Sequence, residues 1–207
     1  MKSIALFGGT FNPIHFGHLA IAEGIRAKYD LDKVIFVPTH TPPHKQSDEL
    51  VSAFKRAIMV HLATVSNPCF DVSTVEVDRG GKSYSIDTVR YFSQLYEGKV
   101  GIYFIVGADM LAEIGKWKNI GELLKLCRFI AVSRPGYDAQ RIFNQNFLSS
   151  ENFEFATALV ENVLIEEMPM LEISASDIRR KVREWKSIKY LVPEAVEQFI
   201  HNQKLYL

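Results

Sequence analysis

Short apolar runs that alternate with helical patterns are the feature that most limits the folds open to this chain. Four runs are rich in Val, Ile and Phe and end at Gly, Pro or Ser, and a weaker fifth run spans 162–168. Because the runs lack polar alternation, they are typical of strands that are covered on both faces. Strands alternating with helices predict an α/β fold, a Rossmann-like open parallel sheet with helices on both faces. The four stronger runs are 3–7, 33–38, 100–107 and 128–133.

Apolar residues at helical spacing lie between these runs and predict the buried faces of three helices. No internal repeat, low-complexity tract or Gly/Ser linker interrupts the pattern, so residues 1–207 are expected to form a single domain. The three predicted faces are Leu19, Ala22, Ile25 and Tyr29; Phe54, Ile58, Leu62 and Val65; and Ile86, Val89, Phe92 and Tyr96.

The overall charge argues against two classes of partner. Lys and Arg together number 24, and so do Asp and Glu, so no global field favours a nucleic acid or an anionic membrane.

No apolar run approaches the roughly 18–20 residues of a membrane-spanning helix, and the start "MKSIALFGG" is too short for a secretion signal. Cys69 and Cys127 lie in apolar contexts and are expected to be reduced core residues of a cytoplasmic protein.

Glycines, prolines and polar residues cluster directly after each predicted strand. Since the carboxyl ends of parallel strands meet at one edge of a sheet, where such folds bind ligands, the clusters predict a ligand site at this edge. The clusters are "GGTFNPIHFGH" (8–18), "PTHTPPHK" (38–45), "GADM" (107–110), "SRPG" (133–136) and "EISASDIRR" (172–180).

The first cluster has the residues of a phosphate site. Gly8 and Gly9 allow a sharp turn and a close approach of the backbone to a ligand, and the following helix is expected to start near Gly17 with free N–H groups that favour phosphate. The spacing fits neither a Walker A loop nor G-x-G-x-x-G. His15 and His18 have the spacing of zinc ligands, but no nearby Cys, third His or Glu completes a set. A pair of imidazoles that donate to phosphoryl oxygens suits them better.

The last cluster predicts a second helix start with donors for an anion. Ser174 and Asp177 have the spacing of a capping box, and a plain cap is the simpler interpretation of Ser174 alone. Ser176 and Arg179 add a hydroxyl and a guanidinium in the same turn. Lys45, in a proline-rich loop, is either a further cation of the site or a solvated lysine.

These motifs resemble those of a known superfamily. "GGTFNPIHFGH" resembles the G-[GS]-[ST]-F-[ND]-P-x-H-x-G-H signature of nucleotidyltransferases with a T-x-x-H motif, and "ISASDIR" resembles their C-terminal I-S-[ST]-[ST]-x-[IV]-R. With "SYSIDT" (83–88), "GADM" and Trp117, the pattern is similar to the bacterial nicotinate-nucleotide adenylyltransferases over nearly the whole chain. Three positions depart from that pattern: Ala175 replaces a hydroxyl residue, Ser85 replaces a threonine, and Lys118 stands where many members have an aromatic residue.

The resemblance implies transfer of the adenylyl group of ATP to nicotinate mononucleotide, giving deamido-NAD and pyrophosphate. The mononucleotide phosphate attacks the α-phosphorus in line, so no side chain has to act as nucleophile, and catalysis consists of positioning and charge stabilisation. Mg²⁺ is expected to arrive with the triphosphate and to be held mainly by phosphates and water, because the sequence shows no carboxylate cage.

The resemblance also implies roles for individual residues. His18, His15 and Arg179 are implied to be catalytic, with His18 contacting the transition state, and no residue is implied to bind a metal. Trp117 is expected to stack on the pyridine ring, although an isolated tryptophan is more often a packing residue. The implied ATP contacts are Gly8, Gly9, Thr10, Phe11, His15, His18, Gly107, Asp109, Ser133, Arg134, Ile173, Ser174, Ser176 and Arg179, with the helices from about 174 completing that site. The implied contacts of nicotinate mononucleotide are Asn12, Lys45, Tyr84, Ser85, Thr88 and Trp117.

The segment "SYSIDT" further predicts a preference for the acid over the amide. It precedes a helical stripe, so its backbone N–H groups and the Ser85 hydroxyl are expected to donate to the nicotinate carboxylate.

Two alternatives remain open at this point. Phosphopantetheine adenylyltransferases and small cytidylyltransferases share the first motif, although "SYSIDT" and Trp117 are not expected in them. A non-catalytic nucleotide-binding module would also keep the phosphate-binding edge. The sequence leaves the oligomeric state open, a homo-oligomer included.

Overall fold

A computed structural model describes residues 1–42, 50–133, 141, 143, 153–168 and 171–207. Six strands form a parallel sheet in the order β3-β2-β1-β4-β5-β6, which confirms the predicted Rossmann-like fold. The five predicted strands are present within two residues of their expected bounds, whereas the three residues of β3 are too few to give an apolar run in the sequence. The strands are β1 (Ser3–Gly9), β2 (Lys33–Pro38), β3 (Phe70–Val72), β4 (Gly101–Gly107), β5 (Arg128–Ser133) and β6 (Val163–Glu167).

The chain divides into two compact units, each made of two segments. The first unit comprises Met1–Phe7 and Tyr84–Met170, and the second comprises Gly8–Ser83 and Leu171–Leu207. The single domain expected from the sequence stays a prediction. Over the part of the chain that the structure describes, no helix has the length and apolar character needed to cross a membrane.

The first unit contains a run of paired strands. Ser3 of β1 lies opposite Gly101 of β4, Tyr103 of β4 opposite Arg128 of β5, and Phe129 of β5 opposite Val163 of β6. The buried face predicted for the helix after "SYSIDT" is confirmed, since its first three apolar residues are at most 3% exposed. The helices of this unit are α4 (Ser85–Leu95), a 3-10 helix (Ala108–Lys116), α5 (Ile120–Leu126) and α6 (Phe153–Asn162).

The second unit holds the helices that follow the two motifs with phosphate-binding character. The helix after the first motif begins at Phe16, one residue before the predicted start, and buries Ala22 and Ile25 as expected. The helix of the last motif begins directly after Ser174. The helices of this unit are α1 (Phe16–Lys28), α2 (Ala53–Thr64), α3 (Val75–Arg79), α7 (Ala175–Arg183) and α8 (Glu194–Asn202).

The buried face of α2 differs from the predicted one. Phe54 and Val65 are both 69% exposed, whereas Met59 and Val60 are fully buried. Apolar residues lie on both sides of this helix, so the 3.6-residue period alone does not choose between the two faces. The buried side of the helix includes Arg56, which is fully buried and which the sequence analysis did not consider.

The corrected face predicts how the free energy of unfolding responds to two truncations of α2. Met59→Ala should lower it by about 2–5 kcal/mol, because the fully buried side chain leaves a cavity. Phe54→Ala should change it by less than about 0.5 kcal/mol, because that ring is mostly exposed. Urea unfolding of both variants measures the difference, and a larger loss for Phe54→Ala would restore the face predicted from the sequence.

Candidate functional site

The loop after β1 depends on a glycine for a packing reason rather than for a sharp turn. A Cβ on Gly9 would lie 2.7 Å from the Phe11 ring, so the missing side chain makes room for that ring. The residue with a left-handed backbone conformation in this loop is Phe11, with a φ of 48°. The Phe11 ring is buried and lies edge-on to His18, 5.1 Å between ring centres. The Phe11 ring therefore packs against the His18 ring and supports it.

His15 and His18 form a stacked pair at the start of α1. Their ring centres are 3.7 Å apart, and the His15 backbone N–H donates to Nδ1 of His18 at 3.3 Å. A Cβ on Gly17 would lie 3.0 Å from Nδ1 of His15, so the intervening glycine gives the His15 ring its place. Because Nδ1 of His18 accepts a hydrogen bond, the proton of the neutral ring is assigned to Nε2. His18 is thus oriented as an Nε2–H donor.

Burial keeps both imidazoles neutral at pH 7. It lowers the pKa of His15 from 6.5 to about 4, and it lowers the pKa of His18 well below 6.5, with a smaller contribution from the charge of His15. Nδ1 of His15 and the Thr39 hydroxyl are buried and have no hydrogen-bond partner among the residues that the structure describes. Unsatisfied buried polar atoms are uncommon and often mark a place that a ligand or water completes.

The chemistry of this pair fits phosphate better than a metal. In the described residues no group of three His, Cys, Asp or Glu side chains is placed to hold a metal ion. A neutral imidazole N–H can donate to a phosphoryl oxygen without burying a charge of its own beforehand.

Arg56 is the principal residue of this region that the sequence analysis missed. Its guanidinium is fully buried and donates to three backbone carbonyls: Nε to Val51 at 2.8 Å, Nη1 to Thr10 at 2.7 Å, and Nη2 to His40 at 2.8 Å. The contacts join the loop after β1 to the loop after β2. Burial lowers the pKa of Arg56 to about 10, so the side chain is still charged at pH 7. The only sign of this role in the sequence is one arginine within an apolar helical pattern. An arginine on the solvent face of a helix would give the same pattern.

Asn12 joins the first motif to the last. Its carbonyl accepts from Nη1 of Arg179 at 3.0 Å, although the two residues are 167 positions apart. Its side-chain Oδ1 accepts from the Tyr206 hydroxyl at 3.1 Å and from the Val51 N–H at 3.3 Å. This oxygen holds the loop, and the ligand contact predicted for Asn12 stays a prediction. Tyr206, which the sequence analysis did not consider, keeps its proton because burial raises its pKa.

The start of α7 has the predicted cap. The Ser174 hydroxyl accepts from the Asp177 N–H at 3.2 Å and lies 3.4 Å from the Ser176 hydroxyl. Both serines are exposed, whereas Ile173 is half-buried. The Ser174 half of the predicted capping box is confirmed, whereas the Asp177 carboxylate pairs with Arg180. An ATP contact of this motif stays a prediction.

The first unit positions the residues predicted for the pyridine nucleotide at the start of α4. Ser85 is the first residue of this helix, as predicted, and Tyr84 precedes it. The Asp87 N–H already donates to the Tyr84 carbonyl at 3.1 Å, so one of the backbone donors expected for a carboxylate is in use. Thr88 is fully buried, and its ligand contact stays a prediction.

Two roles are considered for Trp117, packing against the core and stacking on a pyridine ring, and its position is compatible with both. It ends the 3-10 helix and lies edge-on to Phe104 and Phe129, with ring centres 6.2 Å and 5.9 Å away. The side chain is half-buried, so it packs against the core and still presents surface to solvent.

The remaining predicted ATP contacts differ in accessibility. Gly107 and Asp109 are exposed, and a Cβ on Gly107 would lie 2.3 Å from Oδ1 of Asp109, so that this exposed carboxylate would have to turn away. Ser133 is buried and its hydroxyl donates to the Glu166 carbonyl at 3.4 Å, while its ATP contact stays a prediction. Lys45 and Arg134 lie outside the described residues.

Comparisons with known proteins agree on one family. The sequence matches the cytidylyltransferase-like family over residues 6–181. Proteins named probable nicotinate-nucleotide adenylyltransferase from Thermoanaerobacter sp. (strain X514) and Moorella thermoacetica are each 45% identical, covering 98% of this chain and 93% and 91% of their own. A solved Plasmodium falciparum nicotinic acid mononucleotide adenylyltransferase complexed with NaAD has a TM-score of 0.74 at 18% identity, covering 100% of this chain and 98% of its own. At 18% identity this similarity is evidence for the fold alone.

Arg56→Met should lower the free energy of unfolding by about 3 kcal/mol, because three backbone carbonyls lose the donor of a buried side chain. Arg56→Lys should lose an intermediate amount, since an ammonium cannot reproduce the fixed fork of donors. Urea unfolding at neutral pH measures both losses. Arg79→Met is the matched control at an exposed arginine and should stay within about 0.5 kcal/mol of the unchanged protein. Equal losses at both positions would contradict the role given to Arg56.

The lowered pKa of His15 predicts a loss of stability in acid. Between its folded value of about 4 and its unfolded value of 6.5, the unfolded chain binds more protons, so stability falls as the pH falls. From about pH 7 to pH 5 this group should contribute a loss of about 2 kcal/mol. Urea unfolding at both pH values should show a smaller loss in His15→Gln and an unchanged loss in His201→Gln, which removes an exposed imidazole. An unchanged pH dependence in His15→Gln would contradict the burial argument.

Proposed function

The chain belongs to the cytidylyltransferase-like family, and from that premise we propose that it transfers the adenylyl group of ATP to nicotinate mononucleotide. The products are deamido-NAD and pyrophosphate. The relatives that carry the name of this activity are similar over nearly their full length, which supports this acceptor over phosphopantetheine. The observation that carries the proposal is the oriented, neutral histidine pair at the start of α1.

The proposed reaction makes and breaks one P–O bond. A phosphate oxygen of nicotinate mononucleotide bonds to the α-phosphorus of ATP, and the bond from that phosphorus to the β-phosphate oxygen breaks, so that pyrophosphate leaves with the electron pair. Negative charge moves onto the leaving group and the equatorial oxygens, and donors that are already oriented stabilise it. No nucleophilic side chain is required.

The donors of the second unit suit the triphosphate. We assign Nε2–H of His18 to the developing charge, and His15, which stacks on it, to the same phosphates. Arg179 brings a fork of donors whose Nη1 is anchored on the Asn12 carbonyl. The exposed hydroxyls of Ser174 and Ser176, with the backbone from Gly8 to Phe11, complete the proposed ATP contacts.

The residues at the start of α4 suit the acceptor. The half-buried Ser85 and Tyr84 lie where a carboxylate would meet the first turn, and the accessible part of Trp117 offers an aromatic face to a pyridine ring. The buried Asn12, Thr88 and Ser133 are assigned to positioning instead.

Mg²⁺ fits this proposal as part of the substrate. The described residues of the second unit supply imidazole, hydroxyl and guanidinium groups, and none of their carboxylates joins a metal-binding cluster. Mg²⁺ prefers oxygen ligands and keeps several waters, so we propose that it enters bound to the phosphates of ATP. The cytoplasmic location stays a prediction.

Release of pyrophosphate tests the proposed function. The purified protein is given Mg²⁺ and ATP with nicotinate mononucleotide, nicotinamide mononucleotide, phosphopantetheine or no acceptor, and the products are identified by mass. Nicotinate mononucleotide should give the highest kcat/KM, and deamido-NAD should be formed. A preference for phosphopantetheine would move the chain to another branch, and binding of ATP without any transfer would favour a non-catalytic module.

His18→Ala should lower kcat by roughly 10²–10³, the scale for losing one donor to developing charge, with a smaller effect on the KM for ATP. Steady-state kinetics with nicotinate mononucleotide measure both constants. His61→Ala removes an exposed histidine of α2 and is the matched control. A raised KM with an unchanged kcat would assign His18 to ground-state binding of ATP.

A further inference from the structure

Asn12 is held by residues from three other segments of the second unit. Its side-chain Oδ1 accepts from the Tyr206 hydroxyl at 3.1 Å and from the Val51 N–H at 3.3 Å. Its backbone carbonyl accepts from Nη1 of Arg179 at 3.0 Å. An amide oxygen has two lone pairs, so the two donors occupy Oδ1 and fix the buried amide. With its side chain held in this way, Asn12 presents its carbonyl to the arginine at a defined position.

The turn that follows α8 places the Tyr206 ring beside Asn12. Lys204 has a left-handed backbone conformation, with a φ of 48°, and the Leu205 N–H donates to the Ile200 carbonyl at 3.0 Å, a pattern that closes the end of a helix. Leu205 is buried, and Tyr206 itself has a φ of 67°. A tyrosine rarely adopts this conformation and it costs energy, so surrounding contacts have to hold it. The hydrogen bond to Asn12 is such a contact.

Two guanidinium groups act on the Tyr206 hydroxyl. Burial raises the pKa of Tyr206, and the positive charges of Arg179 and Arg56 oppose that rise without cancelling it. The hydroxyl is therefore neutral at pH 7, and its O–H remains the donor to Asn12. A carboxylate at the same place would pair with Arg179 and repel a phosphate. A tyrosine thus supports the loop and leaves the charge of Arg179 to an anionic ligand.

The orientation of Arg179 matters because an arginine binds phosphate through a planar fork of N–H groups. Its side chain has high rotamer freedom, which is lost when the fork is fixed. Here one nitrogen of the fork is already fixed on the Asn12 carbonyl, so part of that loss precedes ligand binding. Donors that are oriented before charge develops need no reorganisation during the reaction.

We propose that Tyr206 is a positioning residue for adenylyl transfer, because its hydroxyl holds Asn12 and the Asn12 carbonyl orients the Arg179 guanidinium toward the ATP phosphates. This inference rests on the proposed function. Tyr206 acts through Asn12, so loss of its hydroxyl should weaken the use of ATP. It should leave the affinity for the acceptor unchanged, since the acceptor is assigned to residues of the first unit.

Steady-state kinetics of Tyr206→Phe test the proposal. The change removes one oxygen and leaves the Val51 N–H on Oδ1 of Asn12, so the fold should persist. The kcat/KM for ATP should fall roughly fivefold, the scale of one net hydrogen bond. The KM for nicotinate mononucleotide should change less than about twofold, because its binding is not involved. Tyr190→Phe is the matched control at a tyrosine that is 80% exposed and should leave both constants unchanged.

The same substitution in an Arg179→Met background separates positioning from general support of the fold. If Tyr206 acts through Arg179, Tyr206→Phe should cost less than about twofold in that background, since no fork is left to orient. Single-turnover formation of deamido-NAD at high enzyme concentration measures all four proteins, including slow ones. A fivefold loss in both backgrounds, an unchanged kcat/KM in Tyr206→Phe, or an equal loss for acceptor binding would overturn the proposal. Absence of transfer in the unchanged protein would overturn the proposed function instead.

Discussion

The second unit depends on the buried guanidinium of Arg56. Removing a charge from water is costly, and here the cost is offset by three short hydrogen bonds to carbonyls of three separate loop segments. Because the guanidinium is planar and rigid, the three carbonyls have to lie at fixed positions around it. The loop that begins the first motif and the loop after β2 are therefore held relative to each other, and α2 is turned so that Arg56 faces inward.

Removal from water also explains why the two histidines at the start of α1 are neutral. Two imidazolium ions with ring centres 3.7 Å apart would repel each other. Burial therefore favours the uncharged form of both rings. In that form each ring keeps one N–H that can donate a hydrogen bond.

Much of the sheet and of the helix starts could be predicted from the sequence, because strands covered on both faces leave continuous apolar runs and caps leave local spacing. Ser174 and Ser85 are examples of positions that local chemistry determines. The buried face of α2 could not be predicted, because its apolar residues occupy both sides of the helix. The orientation of the helix depends on the carbonyls that its buried arginine contacts, and these lie in other segments of the chain. The Tyr206–Asn12 contact, 194 positions apart, leaves no local pattern either.

Polar residues of the motifs also hold the protein together, and sequence patterns do not separate this role from ligand contact. Asn12 and Ser133 are polar members of conspicuous motifs, yet both are buried and use their side-chain oxygens on partners within the protein. A buried polar group without such a partner would destabilise the fold, so a positioning residue must be as polar as a contact residue. Burial and hydrogen-bond partners, which a sequence does not display, identify a positioning residue.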